Sequence, residues 1–253
     1  MTLYCIDDVV SYLDRYLDVR SVPDDERSLN GLQVENSGRF SRVGAAVDAC
    51  QASIDAAVAS GVSLLLVHHG LFWGGIEPLT GRHGRRVRAL HSGDVALYSA
   101  HLPLDCHREV GNNWLLARRL GLLDAEPFGT ERGAAVGVIG NRAVAREDLA
   151  LDLEREVGTP PTVIPGGPRR VTRVAIVTGA GASFLAQARD AGADTLVTGE
   201  APHHAALDAE EWGINLLLGG HYATEAVGVK ALAAHVAVRF RVDWEFIDHP
   251  TGL

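Results

Sequence analysis

Apolar positions along this chain keep two spacings, helical and alternating or continuous, and the segments that carry them take turns. Ile6, Val9, Val10, Leu13 and Leu17 recur at helical spacing and predict an amphipathic helix over 6–17. Asp24-Asp25-Glu26 reads as a solvated loop, and Asn30-Gly31 as a turn into a short strand over Leu32–Glu35. Val43–Val47 predicts the next strand, followed by a helix over 51–60 that Gly61 stops. Leu64–Val67 is apolar without interruption, as a strand buried on both faces of a parallel sheet would be. After a Gly-rich loop from Gly70 to Gly84 come a helix to about His91, a strand at Val95–Ser99 and a helix from about Gly111 to Leu120.

The second half repeats this order. An extra strand at Ala134–Ile139 precedes a helix over 145–157 and a short strand at Pro161–Pro165. Strands at Val171–Val177, Thr195–Thr198 and Ile214–Leu218 then alternate with helices over 182–191, from Pro202, and from about Thr224 to His235. A last strand is placed near Arg241–Phe246. The pattern α-β-(βα) three times over, occurring twice, predicts an α/β fold of two halves related by internal duplication, 1–125 and 126–253. Each half is expected to hold a mixed, mostly parallel sheet, with a metal site in the cleft between them. The register agrees: Val43, Gly61, Leu65 and His69 fall on Val174, Gly192, Leu196 and Glu200 without a gap. Gly93, Leu97, His101 and Asp105 likewise fall on Gly213, Leu217, His221 and Glu225, so His-x-x-x-acid recurs at one place in both halves.

Ligand-type side chains collect where these strands end. His68 and His69 close one, His101 and Asp105 follow another, and Glu200 precedes His203 and His204 after a third. His221 and Glu225 follow the fourth. Ligands of open parallel sheets bind outside the carboxyl ends of strands, and imidazole with carboxylate suits zinc, iron or manganese. His221 and Glu225, four apart, could share one side of a helical turn.

Composition narrows the class. A chain of 253 residues suits one large domain or two intertwined smaller ones. The net charge of -9 argues against a general nucleic-acid binder, and no run reaches the ~18 apolar residues of a membrane span. Cys5, Cys50 and Cys106 are odd in number and form no CxxC pair, which is cytosolic usage, with thiols buried rather than bridged. A cytoplasmic protein is the expectation.

Six stretches resemble, in order, the GTP cyclohydrolase I type 2-like family of dinuclear metal-centre proteins, also called NGG-interacting-factor-three-like. They are Ser28-Leu29-Asn30-Gly31-Leu32-Gln33-Val34, LLLVHHGLFW, YSAHLPLD at 98–105, Gly111-Asn112-Asn113, TGE at 198–200 and GGHYATE at 219–225. The resemblance covers nearly the whole chain. It implies metal ligands at His68, His69, Asp105, His221 and Glu225, with the acids bridging two divalent transition-metal ions, and a histidine, His101, near the metals without ligating them. It also implies two intertwined α/β halves, a homohexameric ring with metal sites facing its interior, and opening of the imidazole ring of GTP as a carried-over activity. Many members have a Trp-Asp pair before Asn-x-Gly-Leu-Gln; here Glu26-Arg27-Ser28-Leu29 stands there, which bears on the loop and not on the metals.

The leading reading is a metal-dependent hydrolase: metal-activated water attacks an electrophilic carbon or phosphorus in a nucleotide-like substrate, with His101 or Glu200 as proton shuttle. The alternative is a non-enzymatic metal-binding or regulatory ring. Single-strand nucleic-acid binding through a ring is disfavoured by the acidity. Thr178-Gly179-Ala180-Gly181 resembles part of a dinucleotide loop but has Phe184 where the third glycine belongs, so it reads as a tight strand–helix turn. Arg82-His83-Gly84-Arg85-Arg86-Val87-Arg88 is the densest basic run and reads as a solvated helix face. Leu71, Phe72 and Trp73 read equally as ring contacts or as packing within the subunit.

Overall fold

In the computed structural model, which describes residues 4–75 and 77–252, the chain forms two compact units: Met1–Leu104 with Gly228–His249, and Asp105–Val227 with Pro250–Leu253. In chain order the elements begin with β1 (Tyr4–Cys5), α1 (Ile6–Tyr16), β2 (Gly31–Val34), β3 (Arg39–Phe40) and β4 (Arg42–Asp48). Next are α2 (Gln51–Ala59), β5 (Leu64–His69), α3 (Gly81–Ser92), β6 (Ala96–Ser99) and a single turn, α4 (Leu102–Asp105). Then follow α5 (Asn112–Arg119), β7 (Leu123–Glu131), β8 (Ala134–Ala145), α6 (Arg146–Val157), β9 (Thr162–Pro165) and β10 (Arg170–Val177). A 3-10 turn at Gly181–Phe184 leads into α7 (Leu185–Asp190), β11 (Thr195–Thr198), α8 (His203–Trp212), β12 (Asn215–Leu218), α9 (His221–Phe240) and β13 (Asp243–Phe246).

The first unit is built on a sheet of order β13-β4-β5-β6-β2, parallel from β13 to β6 with β2 antiparallel at the edge. The second has the order β7-β8-β10-β11-β12-β9, parallel through β10, β11 and β12 and antiparallel on both flanks. The run β4-β5-β6-β2 therefore has the order and senses of β10-β11-β12-β9. Register agrees too: Val43 lies opposite Leu64 and Val174 opposite Thr195, the gapless spacing found in the sequence. Leu65 faces Leu97, whereas Leu196 faces Leu216, one residue short of the alignment that puts Leu97 on Leu217. The loop after β12 holds one residue more than the loop after β6 before the histidine is reached, which restores His101 to His221.

Burial explains why these segments are strands. Leu64, Leu65, Leu66 and Val67 are covered on both faces, and Leu65 and Val67 meet Ile54, Leu90 and Leu97 in the first core. Val174, Ile176, Val197 and Leu217 do the same in the second, against Leu116, Leu149 and Leu153. The sequence division at 125–126 follows element order, while contacts divide the chain at 104–105 and 227–228. The reason is hydrogen bonding: β7 and β8 extend the sheet of β10, and β13 adds to the edge of β4.

Some elements were invisible to periodicity. β7 is an edge strand whose residues are mostly exposed, and Pro127 within it is tolerable only at an edge. α9 runs well past the expected 224–235, because Ala226, Val229, Leu232, Ala233 and Val236 bury so much of its surface that no polar stripe marks its period. Among the described residues the cysteines form no disulfide, and none is buried as expected: Cys5 is exposed, and Cys50 and Cys106 are half-buried. Leu71 is buried and Phe72 packs against the first core, so these two serve the subunit's own packing. Among the described residues no helix is long and apolar enough to cross a membrane.

Candidate metal centre

The histidines at the head of the first unit are the last two residues of β5 itself, closing the strand as the sequence suggested. His68 is fully buried, and its ring centroid lies 4.8 Å from that of His69 and 5.0 Å from that of His101. Each of the three can offer a ring nitrogen such that all lie within 4.8 Å of one another. The orientation of each ring is fixed from behind. His68 Nδ1 donates to the Ala100 carbonyl at 2.9 Å, and His69 Nδ1 to Asp48 Oδ1 at 2.9 Å. His101 Nδ1 donates to Asp24 Oδ1 at 2.9 Å. A carbonyl or carboxylate at Nδ1 holds the proton there and leaves Nε2 as the lone-pair atom, the tautomer that metal-ligating histidines show.

Asp24 corrects the sequence reading of a solvated loop. Its carboxylate takes the His101 ring, the Leu102 N–H at 3.0 Å and the Asn30 amide at 2.7 Å. Burial works against the charge, yet the hydrogen bonds from His101, Asn30 and the Asp25 N–H hold the carboxyl below its usual range. Asn30 completes the clamp by accepting the His101 N–H at 2.7 Å. Gln33 secures the other strand end: its Oε1 accepts the Leu71 N–H at 2.8 Å while its Nε2 donates to the carbonyls of Ser28 and Leu29. A Cβ at Gly70 would stand 2.3 Å from the Gln33 amide, so glycine is required after the histidines. The Ser28–Gln33 stretch is thus a strap over the histidine strand ends, and Glu26-Arg27 in place of Trp-Asp leaves it intact. Trp73 stands edge-on to His101 at 4.7 Å and to His69 at 5.8 Å.

In the second unit, Asp105 is buried and its carboxylate is held from the first turn of α5. Asn112 Nδ2 donates to Asp105 Oδ1 at 2.8 Å, and Asn113 spans the Val136 carbonyl and the Thr178 N–H. That is the physical role of Gly111-Asn112-Asn113. His221 opens α9, and Glu225 lies one turn on, with His221 Nε2 3.2 Å from Glu225 Oε2. Behind the ring, Nδ1 meets Glu200 Oε1 at 3.0 Å. The hydrogen bond to Glu225, resisted by burial and aided by Glu200, lifts the His221 imidazole to about 9. Thr198 and Thr224 hold the wall opposite: Thr224 Oγ1 accepts the Gly179 N–H, and Thr198 Oγ1 donates to the Gly179 carbonyl. The Thr178–Gly181 turn is therefore part of the site's frame, not merely a strand–helix turn. His203 and His204 are exposed in the first turn of α8 and belong to no such cluster among the described residues.

The donor chemistry fits a divalent ion: all four imidazoles are held by acceptors at Nδ1, and the buried carboxylates of Asp105 and Glu225 are oriented by neighbours. Sequence reasoning missed the acceptors. Asp48 could have been found, because a parallel register of the two strands places it opposite His69. Asp24 carried no such signal, being a loop residue that only the fold brings to His101.

A mixed α/β chain with histidine and carboxylate groups of this kind falls in the class of proteins with a candidate metal centre on the strand ends. The particular family follows from comparison: Duf34/NIF3 (NGG1p interacting factor 3) matches residues 4–251, and the chain belongs to it. It is 43% identical over 249 residues to a GTP cyclohydrolase 1 type 2 homolog of Deinococcus radiodurans, covering 98% of this chain and 94% of that protein. It is 44% identical to one from Halobacterium salinarum, covering 97% of this chain and 100% of the other. The crystal structure of TTHA1606 from Thermus thermophilus superposes with a TM-score of 0.92 at 44% identity, over 98% of this chain and 100% of that one.

Proposed function

We propose that the protein is a dinuclear metal-dependent hydrolase acting on a nucleotide-like substrate. In this reading His68, His69, Asp105, His221 and Glu225 hold two divalent transition-metal ions, zinc, iron or manganese, and the two carboxylates bridge. The observation that carries it is the fixing of Nδ1 in His68 and His69 by an oxygen acceptor, which leaves Nε2 as the ligand atom. The relatives' description as GTP cyclohydrolase 1 type 2 homologs supports a purine nucleotide as the substrate type. Ions of this kind supply Lewis acidity toward an electrophilic carbon or phosphorus when bound. The chain's own part is to orient and to move protons. His101, backed by Asp24, and Glu200, backed by His221, are the candidate proton carriers.

Elemental analysis after mild purification and metal supplementation is expected to find about two ions per chain, the count of a two-metal site. Turnover of guanine nucleotides, cyclic amides and phosphoesters is then compared between loaded and chelated protein. Hydrolysis that chelation abolishes supports the reading. Absence of metal after supplementation removes it, and about two ions without turnover of any compound favours the non-enzymatic metal-binding alternative.

We also propose a closed ring of about six chains, as the family resemblance implies, closed symmetry being the usual state of homo-oligomers. Leu71 and Phe72 lend this no support, since they pack inside the first unit. Light scattering over a dilution series is expected to give a mass near six chains; a monomer at micromolar concentration with metals bound contradicts it.

A further inference from the structure

A cavity of about 710 Å³ opens in the second unit beside Glu200, the residue that holds the back of the His221 ring. Its volume is that of a small-molecule site. Three segments build it: the turn that follows β10 and the start of α7, with Ser183 and Ala186; the stretch after β11 from Glu200; and α8, with His204 and Asp208. Trp212, the last residue of α8, adds an indole to the lining, and the Arg189 guanidinium steadies that ring by packing on it at 4.6 Å. The walls are small and apolar, and the polar groups are few.

The character of those polar groups selects the ligand. Asp208 and Glu200 are carboxylates, which accept hydrogen bonds and donate none when ionised. No lysine or arginine is among the lining residues, so a phosphate would meet two carboxylates with only the His204 imidazole to set against them. What fits is an uncharged planar ring that presents N–H groups at its edge and an apolar face to an indole. Among the common bases, guanine offers two adjacent donors, N1–H and the exocyclic amino group, which one carboxylate can take together. Adenine sets an acceptor beside its donor, and hypoxanthine lacks the amino group.

We propose that this cavity is the base subsite of the enzyme, taking a guanine-type ring with its N–H edge on carboxylate and its face on Trp212; the proposal rests on the hydrolase reading. Ser183 and the alanine walls shape the slot, and Glu200 joins it to the His221 side of the metal residues.

The test is isothermal titration of the metal-loaded, full-length protein with guanosine, inosine, adenosine and ribose 5-phosphate. Wild type is compared with Asp208→Asn, which keeps shape and removes the acceptor pair, and with Ala186→Leu, which fills the cavity from its lining. Guanosine is expected to bind at least about tenfold tighter than the other nucleosides, the worth of a hydrogen bond to a charged group. Each variant is expected to lose about that factor with metal content unchanged. Equal affinity for the three nucleosides overturns the proposal, as does ribose 5-phosphate binding as tightly as guanosine or an Asp208→Asn variant with wild-type affinity. The two readings separate cleanly. Guanosine binding that both variants weaken, with no turnover of any guanine nucleotide, overturns the hydrolase reading and leaves the subsite. Guanine-nucleotide turnover that neither variant alters overturns the subsite and leaves the hydrolase.

Discussion

Replacing Asp105 or Glu225 with alanine is expected to empty both metal positions, whereas His68→Ala or His69→Ala is expected to empty one. The difference follows from chemistry. A carboxylate has two oxygens and can touch two ions, while an imidazole whose Nδ1 is already committed has one nitrogen to give. Asp48 holds that second nitrogen of His69, and the Ala100 carbonyl that of His68. Both acids are nearly inaccessible, 6% for Asp105 and 3% for Glu225, so water has little room to replace a deleted carboxylate. Metal content should fall from about two ions per chain to near zero in the acid variants and to about one in the histidine variants. Thermal melting of the chelated proteins separates metal loss from misfolding. One ion lost in every variant alike would mean that the carboxylates do not bridge.

The strand-end residues were legible because their signals are local. An unbroken aliphatic run followed by His68-His69 announces a buried strand that ends in polar groups, and both histidines are in place in β5. His221 and Glu225 were legible by helical spacing alone, although the helix starts at His221 and not near Thr224. Membership of the Duf34/NIF3 family was legible in six short motifs, and the structure assigns several of them work other than ligation. Asn30 and Gln33 tie down strand ends, Asn112 orients Asp105, Asn113 ties Thr178 to Val136, and Thr198 and Thr224 hold the Gly179 turn.

What stayed hidden depends on long-range pairing. Asp24 lies in a loop whose three acids look alike, and only its closure over His101, 77 residues away, distinguishes it. The assignment of β13 to the first sheet is a matter of hydrogen bonding between residues about 200 apart, such as Phe246 with Ala45, and no periodic pattern reports it. Edge strands such as β7 are hidden for the opposite reason: with little buried on either face, their sequences need not alternate.

Gly179→Ala should empty both metal positions, as Glu225→Ala does, while leaving the fold standing. Gly179 has φ +64°, where an L-residue costs roughly 1–2 kcal/mol. Strain alone is tolerable, and Gly213, at φ +70° with nothing within 4 Å of an added Cβ, provides the control. At Gly179 the added methyl would stand 2.0 Å from Glu225 Oε1 and 3.4 Å from His221 Nε2. The turn cannot back away, because Thr224 and Thr198 grip its N–H and carbonyl. The carboxylate must therefore swing out of its place. The expected result is metal content as low as in Glu225→Ala, with a melting temperature of the chelated protein close to that of Gly213→Ala. Wild-type metal content in Gly179→Ala would show that Glu225 can ligate from another rotamer, or that it does not ligate.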